Sequence, residues 1–266
     1  MVDATVDAGR VRFRGGGFAP RRTAWGGALT LLGLIALWQA ASSWSGLNPL
    51  FLPSPVAVGR ALYDLVMRGD LLAQIGVSLL RIAAGWSLGT LAGLAAGLLM
   101  GLFTLPRSAG FAIVSALFPI PKIALLPLMI LWLGIGEPSK VAVIALGVFF
   151  PTAIAASGGV DATPRTLIRM AQSFGVPYRD IVRKVVLPAA LPSILSGFRI
   201  SASLALLLVV SAEMIGAERG IGAFVLQAGN LMQTDQLLAG VVVLSMLGLV
   251  IARGLTWLEG RLTAWR

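Results

Sequence analysis

Apolar residues in this chain come in blocks close to the ~20 residues a helix needs to cross a bilayer core. The blocks fall near residues 23–44, 78–103, 108–133, 141–157, 189–212 and 236–258, with shorter polar intervals between them. Inside lipid every backbone amide must find its partner within the protein, so such blocks can be helices or the strands of a closed barrel. The alternating ten-residue segments of barrel strands are absent. The predicted fold class is therefore all-α: a polytopic membrane protein of about six transmembrane helices. With 57% hydrophobic and 12% charged residues, 266 residues could not cover a soluble domain with polar surface.

The chain has no cysteine and no histidine, which excludes disulfides, thiolate chemistry and histidine metal sites. Its net charge is +10. A basic excess can serve nucleic acid, but here its distribution follows membrane topology. With six spans and both termini inside, fourteen Lys and Arg fall on the inner side and five on the outer. That asymmetry predicts cytoplasmic N- and C-termini. Residues 1–22 read as a basic cytoplasmic tail against anionic lipid, and residues 23–266 as the membrane domain. The first span, Thr23–Trp44, reads as uncleaved, with Trp25 and Trp44 as interface anchors, although Ala40-Ala41-Ser42 resembles a weak signal-peptide cleavage site.

Leu47–Pro55 predicts an extended entry, and Val56–Val77 an amphipathic helix outside the membrane. In the second span Gly85, Gly89, Gly93 and Gly97 recur every four residues, a smooth stripe for close helix contact. Pro119, Pro121 and Pro127 predict a broken third span, since each removes a backbone donor, and Pro151 lies inside the fourth. Lys122, beside Pro121 in that break, has two readings. It lines an anion pathway, or it pairs locally and snorkels. Arg199 reads as an inner-interface anchor, Gly220 and Gly222 as a tight external turn, and Asp235 as the cap of span six.

The longest polar, basic interval is Ala162–Pro192. Thr163 and Pro164 fit a helix start, and Leu167, Ile168, Ala171 and Phe174 share a face at helical spacing. Gly175 suits a helix stop, and Pro177 starts a second helix with Tyr178, Ile181, Val182 and Val185 on one side. The stretch 163–188 is thus a compact amphipathic hairpin. It either docks a partner or lies on lipid.

Within it, Arg169-Met170-Ala171, three residues, Gly175, nine residues, Val185, one residue and Leu187-Pro188 resemble the EAA loop of ABC-importer permeases. Arg169 stands where the family has Glu, and Met170 where it has Ala. The segments NPLFLPSP, PIPKIALLPLMILWLGIGEPSK, VVLPAALPSILSGFRI, AEMIGAERGIG and MQTDQLLAG are similar to the taurine, aliphatic-sulfonate and nitrate branch. The resemblance implies a type I ABC-importer permease fold and a homodimer of permeases. It also implies two cytoplasmic ATP-binding subunits and an external or periplasmic substrate-binding protein in a bacterial inner membrane. Arg169, Met170, Ala171, Phe174, Gly175, Leu187 and Pro188 would then couple to the ATPase. The segment around Glu213 would lie near the outer gate, making Glu213, Lys122 and Pro121 the pathway candidates. The chain itself would hold no cofactor, with ATP and Mg bound by the partner ATPase.

Independently, no G-x-x-x-x-G-K-[ST] phosphate loop occurs, so energy must come from another subunit or a gradient. The expected function is the permease of an ATP-driven importer for a small anion, taurine or an alkanesulfonate. Nitrate, bicarbonate and small aromatic or pyrimidine solutes are alternatives within the family. A gradient-driven carrier without an ATPase is the alternative from another class, but it would show an internal repeat, and residues 1–133 and 134–266 show no clear one. No cluster of catalytic or metal-ligand type supports a membrane enzyme.

Overall fold

The computed structural model describes residues 24–44, 48 and 50–263. The basic tail 1–22, Thr23, part of the Leu47–Pro55 entry and Arg266 lie outside the described residues. The chain divides into two compact units, residues 1–57 and 58–266. The first contains helix α1 (Ala24–Trp44), apolar throughout, with Trp25 and Trp44 exposed at its ends. Helix α2 (Pro55–Arg68) starts at the end of this unit and buries Val58, Ala61 and Leu65 along one face.

In the second unit the described residues form helices only. Among the described residues, five helices are long and apolar enough to cross a membrane, or six if a sharply bent pair counts as one span. The long helix α3 (Asp70–Leu102) begins earlier than the sequence predicts. Gly69 takes a left-handed φ of 81° and ends α2, so residues 70–77 belong to the span instead of extending the amphipathic helix. Helix α4 (Thr104–Leu117), a 3₁₀ turn (Lys122–Leu125) and α5 (Leu126–Leu133) form the broken third span, bent by 87°. The prolines predict this break, and Pro121 stands just before the 3₁₀ turn in extended conformation.

Helix α6 (Glu137–Asp161) is the centre of the bundle. It also starts earlier than the sequence predicts, because Pro138 sits in its first turn, where a missing N–H is harmless. The glycine stripe of α3 lies against it. A Cβ at Gly89 would meet the Ala145 carbonyl, at Gly93 the Phe149 carbonyl 2.5 Å away, and at Gly97 the Ala153 carbonyl. The two backbones therefore touch, which trades side-chain volume for dispersion contact over four turns. On its other side α6 packs against α9 (Leu187–Gly216). The core between them holds Val143, Ile144, Val148, Ala205, Val209 and Ala212. Helix α10 (Ile221–Asn230) is short, and α11 (Thr234–Leu262) closes the chain. Asp235 lies in the first turn of α11 after an N-cap Gln233, so it does not cap that helix.

Candidate functional site

The hairpin begins where α6 ends. Helix α7 (Arg165–Ser173) follows an N-cap Pro164, while the Thr163 hydroxyl turns back to the Gly159 carbonyl of α6 instead of capping α7. Its C-terminus is a Schellman motif: the Val176 N–H donates to Ala171 O (3.1 Å) and the Gly175 N–H to Gln172 O (3.0 Å). Gly175 takes φ +68°, the left-handed conformation this closure requires. Val176 and Ala171 then pack in one apolar cluster with Ile168, Ile181, Val185 and Val186. That cluster seats the hairpin on Leu102, the last residue of α3, and on Val160 near the end of α6. Beside it, Arg107 of α4 grips Asp161 with two bonds of 2.7 and 2.9 Å.

Of the residues predicted on one face, Ala171 and Ile168 turn inward and Phe174 does not. Phe174 is 79% exposed, and with Met170 (55%) and Leu167 (42%) it forms an apolar ridge open to the outside. Leu167 and Phe174 lie at the edge of the predicted apolar face farthest from Ile168, so the cluster covers one edge of that face and leaves the other open.

From Pro177 the chain re-enters helix: α8 (Tyr178–Ile181), one π turn (Val182–Val186), then α9. The Leu187 N–H donates to Val182 O, one residue further back than in an α-helix. This wider turn makes room for Pro188, which has no N–H to give. Leu187-Pro188 therefore does not interrupt the chain; the helix runs from Tyr178 to Gly216 as one rod. From Leu187 to Gly216 it spans about 45 Å at 1.5 Å per residue.

At the far end of that rod stands Glu213, 1% exposed. Its carboxylate accepts from Ser78 Oγ (2.8 and 3.0 Å), from Arg81 Nη1 (2.8 Å) and from the Gly222 N–H (2.8 Å). Arg81 also donates Nη1 to the Arg219 carbonyl, and Nε and Nη2 to the two oxygens of Glu137, each at 2.6 Å. The first amides of α10 complete the network: Gly220 N–H to Gln74 Oε1 and Ile221 N–H to Ser78 Oγ. Side chains of α3 and α9 thus cap α10, and no residue of its own does. Gly220 and Gly222 form more than a turn. A Cβ on Gly220 would collide with the Glu213 carboxyl, and one on Gly222 would meet Val210 O at 2.5 Å.

The resemblance singles out Glu213 but not Arg81, which the inside–outside count places on the outer side. A signal was present: Gln74, Ser78 and Arg81 recur at i, i+4 and i+7, a polar stripe on a membrane helix. Lys122 takes the local reading geometrically. Its ammonium donates to the carbonyls of Leu117 (3.0 Å), Phe118 (2.8 Å) and Ile120 (2.6 Å) and lies 4.7 Å from the Phe150 ring centre. It caps the end of α4 at the 87° corner. Arg199 pairs with Glu259 across α9 and α11.

A helical bundle with broken spans, a hairpin seated on the span ends and polar groups tied at the opposite end defines a membrane permease. The chain belongs to the family of binding-protein-dependent transport system inner membrane components, which it matches over residues 89–264. It is an ABC-transporter permease, a multi-pass inner-membrane transport subunit. It is 37% identical over 241 residues to the taurine transport system permease protein TauC of Escherichia coli K12, covering 89% of this chain and 88% of that one. It is 33% identical over 233 residues to a Bacillus subtilis 168 permease named for aliphatic sulfonate transport, covering 88% and 84%. Among solved structures, a chain of the MetNI methionine ABC transporter in an inward-facing conformation aligns with TM-score 0.63 at 25% identity, over 74% of this chain and 98% of that one. An amino acid ABC transporter, at 14% identity and TM-score 0.56 over 77% and 98%, shares the fold.

Proposed function

We propose that this permease imports a small anionic solute, taurine or an alkanesulfonate, as a homodimer with two cytoplasmic ATP-binding subunits and an external binding protein. Its N- and C-termini face the cytoplasm. ATP and Mg bind to the partner subunits, and no cofactor resides in this chain. The observation that carries the substrate class is the 37% identity, across 89% of the chain, with a protein named for taurine transport.

The mechanism follows from the rod. The exposed ridge Leu167, Met170 and Phe174, with Arg169 beside it, seats in a groove of the ATP-binding subunit. Ala171 and Gly175 hold the ridge in shape. When nucleotide closes the two ATP-binding subunits, the hairpin moves with them, and Leu187-Pro188 passes that movement into α9 without a hinge. Its far end carries Glu213 and, through it, α10. The permease thereby shifts between inward- and outward-facing states, a population shift set by its differential contact with partner and substrate. Pro121 and Lys122 shape the pathway wall by fixing the corner of the broken span, and Glu213 holds the outer end together.

The test is uptake of labelled taurine into proteoliposomes holding permease, ATP-binding subunits and binding protein. ATP-dependent uptake that alkanesulfonates compete and nitrate does not is the expected result. Uptake driven by an ion gradient without ATP would overturn the importer reading. Competition by nitrate alone would overturn the substrate.

A further inference from the structure

The hairpin carries five cations and a single acid between residues 163 and 188. Lys184 answers that acid, Asp180, at 3.0 Å. The guanidinium groups of Arg165, Arg169, Arg179 and Arg183 have no partner among the described residues. Arg165 and Arg169 stand four apart on α7, so they share a face, and that face is opposite Ala171, which packs inward. On the other flank of α7, roughly 150° around the helix at 3.6 residues per turn, runs the ridge Leu167, Met170 and Phe174, all exposed.

The direction of this surface matters. The buried side of the hairpin rests on Leu102 and Val160, at the very ends of two spans. The exposed side therefore faces away from those two span ends. A helix lying on lipid does the reverse, with its apolar face sunk toward the acyl chains. An apolar ridge and two free guanidiniums turned away from the span ends fit a soluble protein surface.

We infer that the surface which receives this hairpin is acidic along one side: an apolar wall for Phe174 and Met170 and, across α7 from it, carboxylates facing Arg165 and Arg169. This rests on the reading that the hairpin docks a cytoplasmic ATP-binding subunit, and it adds the sign of charge that subunit must present. Two guanidiniums can each take a carboxylate bidentately, which fixes register as well as attraction. The pairing also sets choice of partner, since a subunit with basic residues at those places meets like charge.

The experiment measures association of the full permease, in detergent and in vesicles, with the ATP-binding subunit of its transporter. The variants are Arg165→Glu/Arg169→Glu, Arg169→Lys and Phe174→Ala. Because all three side chains are exposed, each variant keeps the parent's melting temperature. The double charge reversal is expected to weaken association by about tenfold or more, and Arg169→Lys, which keeps the charge but loses the paired donors, by about threefold to fivefold. Parent association falls as salt rises. It is the same in vesicles of phosphatidylcholine alone and with added phosphatidylglycerol. Unchanged association for the charge reversal, with loss for Phe174→Ala, would overturn the acidic side and leave the docking reading standing. Unchanged association for every variant would overturn both. Association that depends on phosphatidylglycerol would give the basic face to lipid and overturn the inference.

Discussion

Arg81 of α3 and Glu213 of α9 meet at 2.8 Å with side chains 5% and 0% exposed, 132 residues apart in sequence. This pair joins the two helices that flank α6, and it does so where α10 begins. A buried pair is not in itself a large gain, because desolvation of both charges offsets their attraction. What matters here is completeness. Glu213 has four donor contacts and Arg81 has four acceptor contacts, so neither charge is left unanswered.

Removing one partner should therefore cost far more than removing both. Arg81→Met and Glu213→Gln are each expected to destabilise the permease by about 3–5 kcal/mol, since each leaves a buried group unpaired. Glu213→Gln also turns an amide donor toward the Arg81 and Gly222 donors. Arg81→Met/Glu213→Gln should lose less than the sum of the singles. Glu137→Gln should cost about 1 kcal/mol or less, because that carboxylate is 60% exposed. Thermal unfolding in detergent, read as a double-mutant cycle, checks all four.

The sequence made the spans, the broken third helix, the glycine stripe and the hairpin legible, because each is written in local spacing. Proline positions in particular mark the corner, which bends by 87°. The network was not legible. Its members come from 74–81, 137, 213 and 219–222, and periodicity carries no information about which helices meet. The rod was missed for a different reason. The spacing bounds the hairpin at Pro188 and starts the span at residue 189, and only a π turn, which no propensity marks, carries the helix through that boundary. Leu167 and Phe174 share the apolar face that the spacing predicts, but periodicity does not say which edge of that face a neighbouring helix covers.

The glycine stripe can be tested against a glycine with free space. Gly89→Ala would push its Cβ into the Ala145 backbone, and neither helix can yield without separating along its length. A loss of about 1–3 kcal/mol is expected. Gly158→Ala on α6 meets nothing within 4 Å and should be neutral, or more stable by up to about 1 kcal/mol from helix propensity. Equal melting temperatures for the two variants would mean the backbones do not touch.

Gly175 separates shape from space. No atom lies near its missing Cβ, so a substitution there is strained by φ +68° alone. Gly175→Val should cost about 1–2 kcal/mol locally, opening the Schellman turn and moving the ridge off its bearing. Gly175→Asn, which tolerates the left-handed region, should be close to the parent. In reconstituted transporter, Gly175→Val is expected to insert and assemble but to hydrolyse ATP without matching uptake. Normal uptake per ATP in Gly175→Val would remove the hairpin from the coupling path.

Lys122 gives the clearest separation between a pathway contact and a structural one. Its three donors are all engaged by the carbonyls of Leu117, Phe118 and Ile120, and its stem lies along Gly147 of α6. Lys122→Met keeps the stem and removes the charge, so three carbonyls at the end of α4 lose a charged donor. Hydrogen bonds to charged groups contribute about 1.5–3 kcal/mol net, and these three are solvent-exposed, so an overall loss near the lower end of that range is expected. The corner would loosen, and the amount of active transporter would fall. A group that met the anion would leave another mark, because weaker substrate contact raises the concentration needed for half-maximal uptake. The expected result for Lys122→Met is a lower melting temperature and lower maximal uptake with an unchanged KM. A raised KM at parental stability would put the ammonium in the path of the anion.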